Sequence, residues 1–315
     1  MRVGLLGLGR IGAFHAATLA AHPLVDELIV SDPVRESPYG RPGDPFEADA
    51  VVIATPTGTH AELLLKACGL GIPVFCEKPV AGSVKETVEV LAARRGNRVQ
   101  IGFQRRFDPG YIDAAMALRG GELGELHRVH LITADPAPPP AEYIPLSGGI
   151  YRDCHIHDFD ILRWVTGREV VSVYATGANR GAAFFGEAGD VDTSAALLTL
   201  DDGTLATLQG SRYNGAGYDV RMELAGTKGT RAVGLGPRAP LSSSEGLQPP
   251  GEPWPDFVTR FADAYAAEID CFLRSDVSLC SIEDALAALY VAEATELSRR
   301  EGRPVEVAEV TEGTR

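Results

Sequence analysis

Six residues, Gly7-Leu8-Gly9-Arg10-Ile11-Gly12, constrain this chain more than any other stretch because of where they stand. They follow the apolar run Val3-Gly4-Leu5-Leu6 and open a segment in which Ile11, Phe14, His15, Thr18 and Leu19 recur on helical faces. Pro23 stops that pattern, and a second apolar run, Leu28-Ile29-Val30-Ser31, ends at Asp32. Strand, glycine turn, helix, strand and acid in this order make the first half of a Rossmann unit. Gly7 permits the tight turn, Gly9 lets the backbone approach a pyrophosphate, and Gly12 allows close packing of helix on strand. Arg10 and Ile11 begin the helix whose N–H groups would face the phosphates. Asp32 stands twenty residues beyond Gly12, near the spacing at which an acid bonds the adenosine ribose and repels a 2′-phosphate. That favours NAD over NADP, with Arg35 leaving some room for both.

Two further apolar runs, 50–54 and 72–75, continue a parallel sheet covered on both faces, with a helix expected between them over 59–70. The first ends at Thr55-Pro56 and the second at Glu77-Lys78-Pro79, on the carboxyl side of the sheet where ligands bind in open α/β folds. A helix over about 83–95 and a strand over 99–103 complete this half. Only seventeen residues, Pro33 to Asp49, separate the second strand from the third clear one, and four are proline. A full crossover unit needs about thirty residues, so a loop or an abbreviated strand is expected on that edge.

A chain of 315 residues accommodates two domains. We expect a dinucleotide-binding domain over 1–120 and a substrate-binding and oligomerisation domain over 121–315, whose C-terminal segment packs back on the first. The net charge of −14 disfavours nucleic acid as a partner. No run of about eighteen apolar residues suggests a membrane span, and the broken apolar start reads as a strand and turn rather than a signal peptide. A cytoplasmic location is expected. Five cysteines without a CxxC pair predict neither a disulfide framework nor a zinc site.

Beyond Gly120-Gly121 the pattern changes to strands separated by short turns, at 125–134, 168–177, 193–200, 204–211 and 218–225. Asp201-Asp202-Gly203 and Gly226-Thr227-Lys228-Gly229 read as hairpin turns. Residues 236–255 read as a surface loop; helices over about 256–274 and 282–301 precede a short strand near 304–306. The fold class is thus α/β, an N-terminal Rossmann domain plus a C-terminal α+β domain with a large, open, mostly antiparallel sheet. Within it, Ile150, Cys154, Ile161, Leu162 and Val165 fit one helix ending before Gly167. Asp153 and His157 are four apart and would share a face. A carboxylate beside an imidazole fixes its tautomer and suits a general base, although the same spacing occurs in ordinary helix pairs. His155 points to a different face and reads as structural or peripheral. No third cluster with metal-ligand spacing accompanies these residues, so no metal is expected.

Taken in order, Gly7–Gly12, Ala54-Thr55-Pro56, Glu77-Lys78-Pro79 and Asp153-x-x-x-His157 resemble the Gfo/Idh/MocA oxidoreductases over nearly the whole chain. The segments 102–109, 135–140, 188–193 and Gly217-Tyr218-Asp219 resemble the inositol 2-dehydrogenases among them. The resemblance implies that Glu77 contacts the nicotinamide ribose and that Lys78, carried on a cis peptide before Pro79, hydrogen-bonds the reacting hydroxyl. It further implies that His157 takes the hydroxyl proton while Asp153 orients it, and that Gln104, Arg105 and Tyr218 line the sugar site. Thr55 and Pro56 join the cofactor-binding residues. Gln104 stands where related inositol enzymes often carry Asn or Met, and Ala134 where many carry Arg.

The implied activity is NAD-dependent oxidation of a secondary alcohol of a cyclitol to a ketone. An aldose or other polyol would suit the same mechanism. A non-catalytic NAD(H)-binding regulatory protein is the reading of another class, and it predicts loss of Lys78, Asp153 or His157. All three are present. The exposed face of the second sheet, together with the resemblance, predicts a homo-oligomer, dimer or tetramer.

Overall fold

A computed structural model describes residues 1–246 and 249–312. In chain order the elements are β1 Arg2–Leu6, α1 Arg10–Ala21, β2 Glu27–Ser31, β3 Arg41–Pro42, β4 Ala50–Ile53, α2 His60–Leu70, β5 Val74–Glu77, α3 Val84–Ala93 and β6 Val99–Gly102. There follow α4 Pro109–Arg119, β7 Leu126–Ala134, α5 Ile144–Ser147, α6 Ile150–Asp153, α7 Ile156–Thr166, β8 Val170–Ala178, α8 Phe184–Glu187, β9 Thr193–Leu200 and β10 Leu205–Ser211. The last are β11 Asp219–Gly226, β12 Thr230–Val233, α9 Phe257–Arg260, α10 Ala262–Arg274, α11 Ile282–Glu301, β13 Val305–Glu306 and α12 Val307–Glu312. The chain divides into two compact units: Met1–Phe107 with Ala262–Ala287, and Asp108–Phe261 with Ala288–Arg315.

The first unit is a parallel sheet in the order β3-β2-β1-β4-β5-β6. This is the dinucleotide-binding strand order. Every residue of β4, β5 and β6 is buried, as strands covered on both faces must be. The edge expected to be abbreviated holds only the two-residue β3. The strand expected over 72–75 runs instead from Val74 to Glu77. Pro73 has no N–H for the ladder, and it enters only as an acceptor, its carbonyl taking the N–H of Val51. The shift brings Glu77 onto the sheet. Helix starts are local: Ser83 accepts from the N–H of Glu86 and its hydroxyl donates to the Glu86 carboxylate, a reciprocal cap on α3. Ile269, Phe272 and Leu273 of α10 pack with Val3, Leu5, Val30, Val52 and Phe75 in one buried cluster.

The second unit is built on a seven-stranded sheet, β12-β11-β7-β10-β9-β8-β13. β10 pairs parallel with β7 and all other neighbours are antiparallel, the mixed and mostly antiparallel sheet that the alternation predicted. The turn at 226–229 closes through the N–H of Gly226 on the Gly229 carbonyl. Between β12 and α9 the described residues form neither helix nor strand; Leu247 and Gln248 of the expected loop lie outside them. The helix expected over 256–274 is interrupted at Phe261. The helix expected over 150–166 is likewise two, α6 and α7, broken at Cys154-His155. There the N–H of His155 reaches back to Ile150 O and that of His157 only to Cys154 O at 3.3 Å. The break has a side-chain cause. The buried His155 ring is held by Asp158 through Nδ1 at 2.8 Å and by Ser194 through Nε2 at 2.7 Å, and Asp158 also accepts from Thr133. His155 is structural, the first of the two roles that its position suggested.

Candidate cofactor and substrate sites

The glycine turn of the first unit bears out the tight-turn and close-packing roles that spacing predicts for Gly7 and Gly12, and leaves open space at Gly9. Gly7 has φ +90°, and a Cβ there would lie 2.5 Å from the Ala54 carbonyl oxygen. A Cβ on Gly12 would lie 2.1 Å from Gly7 O, so helix and strand can approach only because both residues lack one. A Cβ on Gly9 would meet nothing within 4 Å. Gly9 is therefore not a packing glycine; beside it is open space, the cradle that a phosphate needs. It caps α1 without a side chain, so the end formed by Arg10, Ile11 and Gly12 faces that space with its positive dipole. Arg10 is exposed and Ile11 half-buried.

Asp32 closes the turn. One carboxylate oxygen accepts from the N–H of Leu8 at 2.7 Å, and the other from Val34 and Arg35 at 2.9 and 2.8 Å. These bonds, Leu8 foremost, hold its carboxyl below the usual aspartate range. A carboxylate offers about four lone-pair sites, so Oδ2 keeps capacity for a further donor. Arg35 donates to Leu8 O at 3.1 Å and lines, with Leu8, Ala13 and Tyr39, a cavity of about 420 Å³. Cradle, uncapped helix end, anionic acid and adjoining cavity fit a dinucleotide.

The ends of β4 and β5 are tied together by a residue that the sequence did not single out. His60 is buried, and its two ring nitrogens lie 2.7 Å from Pro79 O and 2.8 Å from Thr55 O. Thr55 also bonds Thr59, and Pro56 is exposed. The Lys78–Pro79 peptide is cis and Lys78 is half-buried. Glu77 is buried and meets His15 Nε2 through Oε1 at 2.7 Å. Gln104 and Arg105 are buried in the turn after β6.

In the second unit Asp153 is held rigidly. Tyr143 donates to Oδ1 at 2.9 Å and Arg212 to Oδ2 at 2.8 Å. Arg212, 3% exposed, also pairs with Asp135 at 3.2 Å, and Cys154 Sγ lies 3.8 Å from the same Asp135 oxygen. Burial pushes the Asp135 carboxyl up, with Arg212 pulling it back. Burial and the Asp153 charge push the Tyr143 phenol well up, so it remains a donor. Burial works against the Arg212 charge, but Cys154, Asp153 and Asp135 around it outweigh burial and raise the already basic guanidinium further. Two carboxylates thus share one guanidinium, and Asp153 is fixed as an acceptor. His157 is half-buried one turn on, in the first turn of α7. Tyr218 is buried at the start of β11, its N–H bonded to Trp254 O.

Reasoning from sequence missed Arg212 and Tyr143. Arg212 directly follows β10, 59 residues from Asp153, and no local spacing points to it.

Residues 40–103 match the family described as oxidoreductases with an NAD-binding Rossmann fold, and residues 111–231 match the GFO/IDH/MocA C-terminal domain. The inositol 2-dehydrogenase of Rhizobium meliloti (strain 1021) is 38% identical, covering 98% of this chain and 99% of that protein. The scyllo-inositol 2-dehydrogenase (NAD(+)) of Bacillus subtilis (strain 168) is 34% identical, with 98% and 96% covered. The structure of scyllo-inositol dehydrogenase from Lactobacillus casei with bound NAD(H) and scyllo-inositol superposes with a TM-score of 0.87 at 29% identity, covering 98% of this chain and 99% of that one. With two sheets in the expected topologies and full-length likeness above 30% identity, this chain belongs to the Gfo/Idh/MocA oxidoreductases.

Proposed function

We propose that this protein oxidises one secondary hydroxyl of a cyclitol of the inositol class to a ketone, with NAD as acceptor. One observation carries the reading: a chain 38% identical to an inositol 2-dehydrogenase over 98% of its length has Lys78, Asp153 and His157 all present in its sequence. Gly7, Gly9, Arg10, Ile11, Gly12, Asp32, Thr55, Pro56 and Glu77 would hold the cofactor, and the open space beside Gly9 supports that assignment. When bound, the nicotinamide supplies the hydride acceptor. Everything else falls to side chains. His157 takes the hydroxyl proton. Lys78, as an ammonium, stabilises the alkoxide that this creates. Asp153, anchored by Arg212 and Tyr143, orients His157 without drifting itself. Gln104, Arg105 and Tyr218 bind the remaining hydroxyls. Asp32, fully anionic, disfavours a 2′-phosphate and supports NAD over NADP.

The test is NADH formation from NAD with myo-inositol, scyllo-inositol, glucose and xylose. Turnover on an inositol is the expected result. Turnover on an aldose alone would keep the mechanism and move the substrate. The companion variant is Lys78→Ala: turnover should fall by about 10²–10³-fold, the usual loss on removing one transition-state donor, with NADH binding intact. An unchanged rate would overturn the mechanism and leave a regulatory NAD(H)-binding role.

A further inference from the structure

Behind Glu77 lies a cluster that the proposed chemistry does not use. His15 on α1, Glu77 on β5 and Glu268 on α10 each offer a side-chain atom, and these atoms all lie within 4.8 Å of one another. All belong to the first unit. His15 and Glu268 are 0% exposed, while the Glu77 side chain keeps 11%. Phe75, Tyr265 and Phe14 place their rings around His15, which excludes water from that side. Both carboxyl oxygens of Glu268 lack a hydrogen-bond partner, as does His15 Nδ1. Gly102 leaves space for Glu77, since a Cβ there would come within 3.1 Å of Glu77 Oε2.

Two carboxylates and one imidazole in a dry space cannot all carry their usual charges. A buried carboxylate with no donor on either oxygen is the costliest state available. Of the two acids, Glu77 has the ring nitrogen of His15 at hydrogen-bond distance and some contact with solvent, and Glu268 has neither. The groups that face Glu268 are His15 and Glu77 from α1 and β5, Gln100 from β6, whose amide is spent on the Glu268 backbone carbonyl, and Cys271 from its own helix, with the Tyr265 ring against His15; none of them places a donor on the Glu268 carboxyl oxygens. We infer that Glu268 is a positioning residue held as the neutral acid: it fills the space behind Glu77 without adding a second negative charge, so that Glu77, clamped by His15, is the one carboxylate presented to the cofactor ribose. Burial first, and then the Glu77 charge, push the Glu268 carboxyl upward in the same sense. The inference rests on the ribose contact assigned to Glu77 above.

The experiment uses the full chain labelled with 13C at the glutamate side-chain carboxyl carbon. At neutral pH one resonance should sit at the protonated position and be missing from Glu268→Gln; its absence from the wild type overturns the proposal. In binding titrations Glu268→Ala, which empties the space behind Glu77, should weaken NADH affinity about tenfold, within the range over which contacting residues couple. Glu268→Gln, isosteric with the neutral acid, should restore most of it. Equal loss in both variants overturns the neutral-acid role. Glu77→Gln is read separately. If it leaves NADH affinity unchanged, the ribose assignment fails, while the carbon resonance still decides the state of Glu268. One equivalent of a divalent metal in the purified protein, by elemental analysis, would make the cluster a metal site and overturn the proposal.

Discussion

Asp32 keeps its charge because three backbone N–H groups point at it, and those bonds exist only in the folded turn. Removing the charge while keeping a small acceptor should relax the choice of cofactor. Asp32→Ser is expected to raise the kcat/KM ratio of NADP over NAD by about tenfold or more, a factor that costs only about 1.4 kcal/mol. Steady-state rates with the two cofactors measure it, and an unchanged ratio would place the discrimination elsewhere. Glu268 has the opposite linkage. Its folded carboxyl is raised above the ordinary value of 4.5, so above that pH the folded state holds a proton that the unfolded chain has released. Stability should then fall as pH rises, by up to about 1.4 kcal/mol per unit, until the folded carboxyl itself ionises. Melting curves of wild type and Glu268→Gln between pH 5 and 8 should diverge in favour of the variant as pH increases. Parallel curves would contradict a raised carboxyl. Arg212 and Glu268 were illegible in the sequence because each acquires its role from partners far along the chain, Arg212 from Asp135 and Asp153, 77 and 59 residues away. Tyr143 stands only ten residues from Asp153, but in a separate short helix and at no helical spacing from it.

Elements were legible where their cause is local. Gly7 and Gly12 mark a turn because a Cβ would strike backbone there, and β9 and β10 follow from alternation and a turn at Gly203 with φ +86°. The break between α6 and α7 follows from neither propensity nor period. It comes from His155 being drawn into contact with a neighbouring strand, and β10 makes room by carrying Gly210, where a Cβ would lie 2.2 Å from His155 Nε2. Gly210→Ala should therefore push the ring off Ser194 and Asp158. The expected cost is about 1–3 kcal/mol, as for other overpacked sites, read from urea denaturation. Because the break sets where α7 begins, the same variant should lower activity by more than the loss of folded protein explains. A neutral outcome in both would show that the ring can reorient freely.

At the scale of the molecule, the second sheet turns one face outward with Tyr174, Leu197 and Leu205 each at least 44% exposed. Tyr174 and Leu197 are directly opposed in register, and Thr207 and His130 extend that row across the sheet. This face suits the oligomer expected from sequence, with Arg128 and Glu223 forming an ion pair at its side. Leu197→Asp should reduce the assembly toward the 33.4 kDa protomer in light scattering, while secondary structure stays intact. An unchanged mass would remove the face from the interface.

Neither compact unit is continuous in the chain. The cofactor-binding unit is left at Phe107 and regained only at Ala262, and α10 supplies Ile269, Phe272 and Leu273 to its core and Glu268 to its buried cluster. On the ribosome the parallel sheet must therefore wait for more than 150 residues of the other unit, roughly 8–30 s at ordinary elongation rates. During that interval the apolar side of β1, β4 and β5 lacks its cover. A nascent chain of this protein therefore leaves part of its first core unfilled until α10 has been made, and that late helix is what completes the unit.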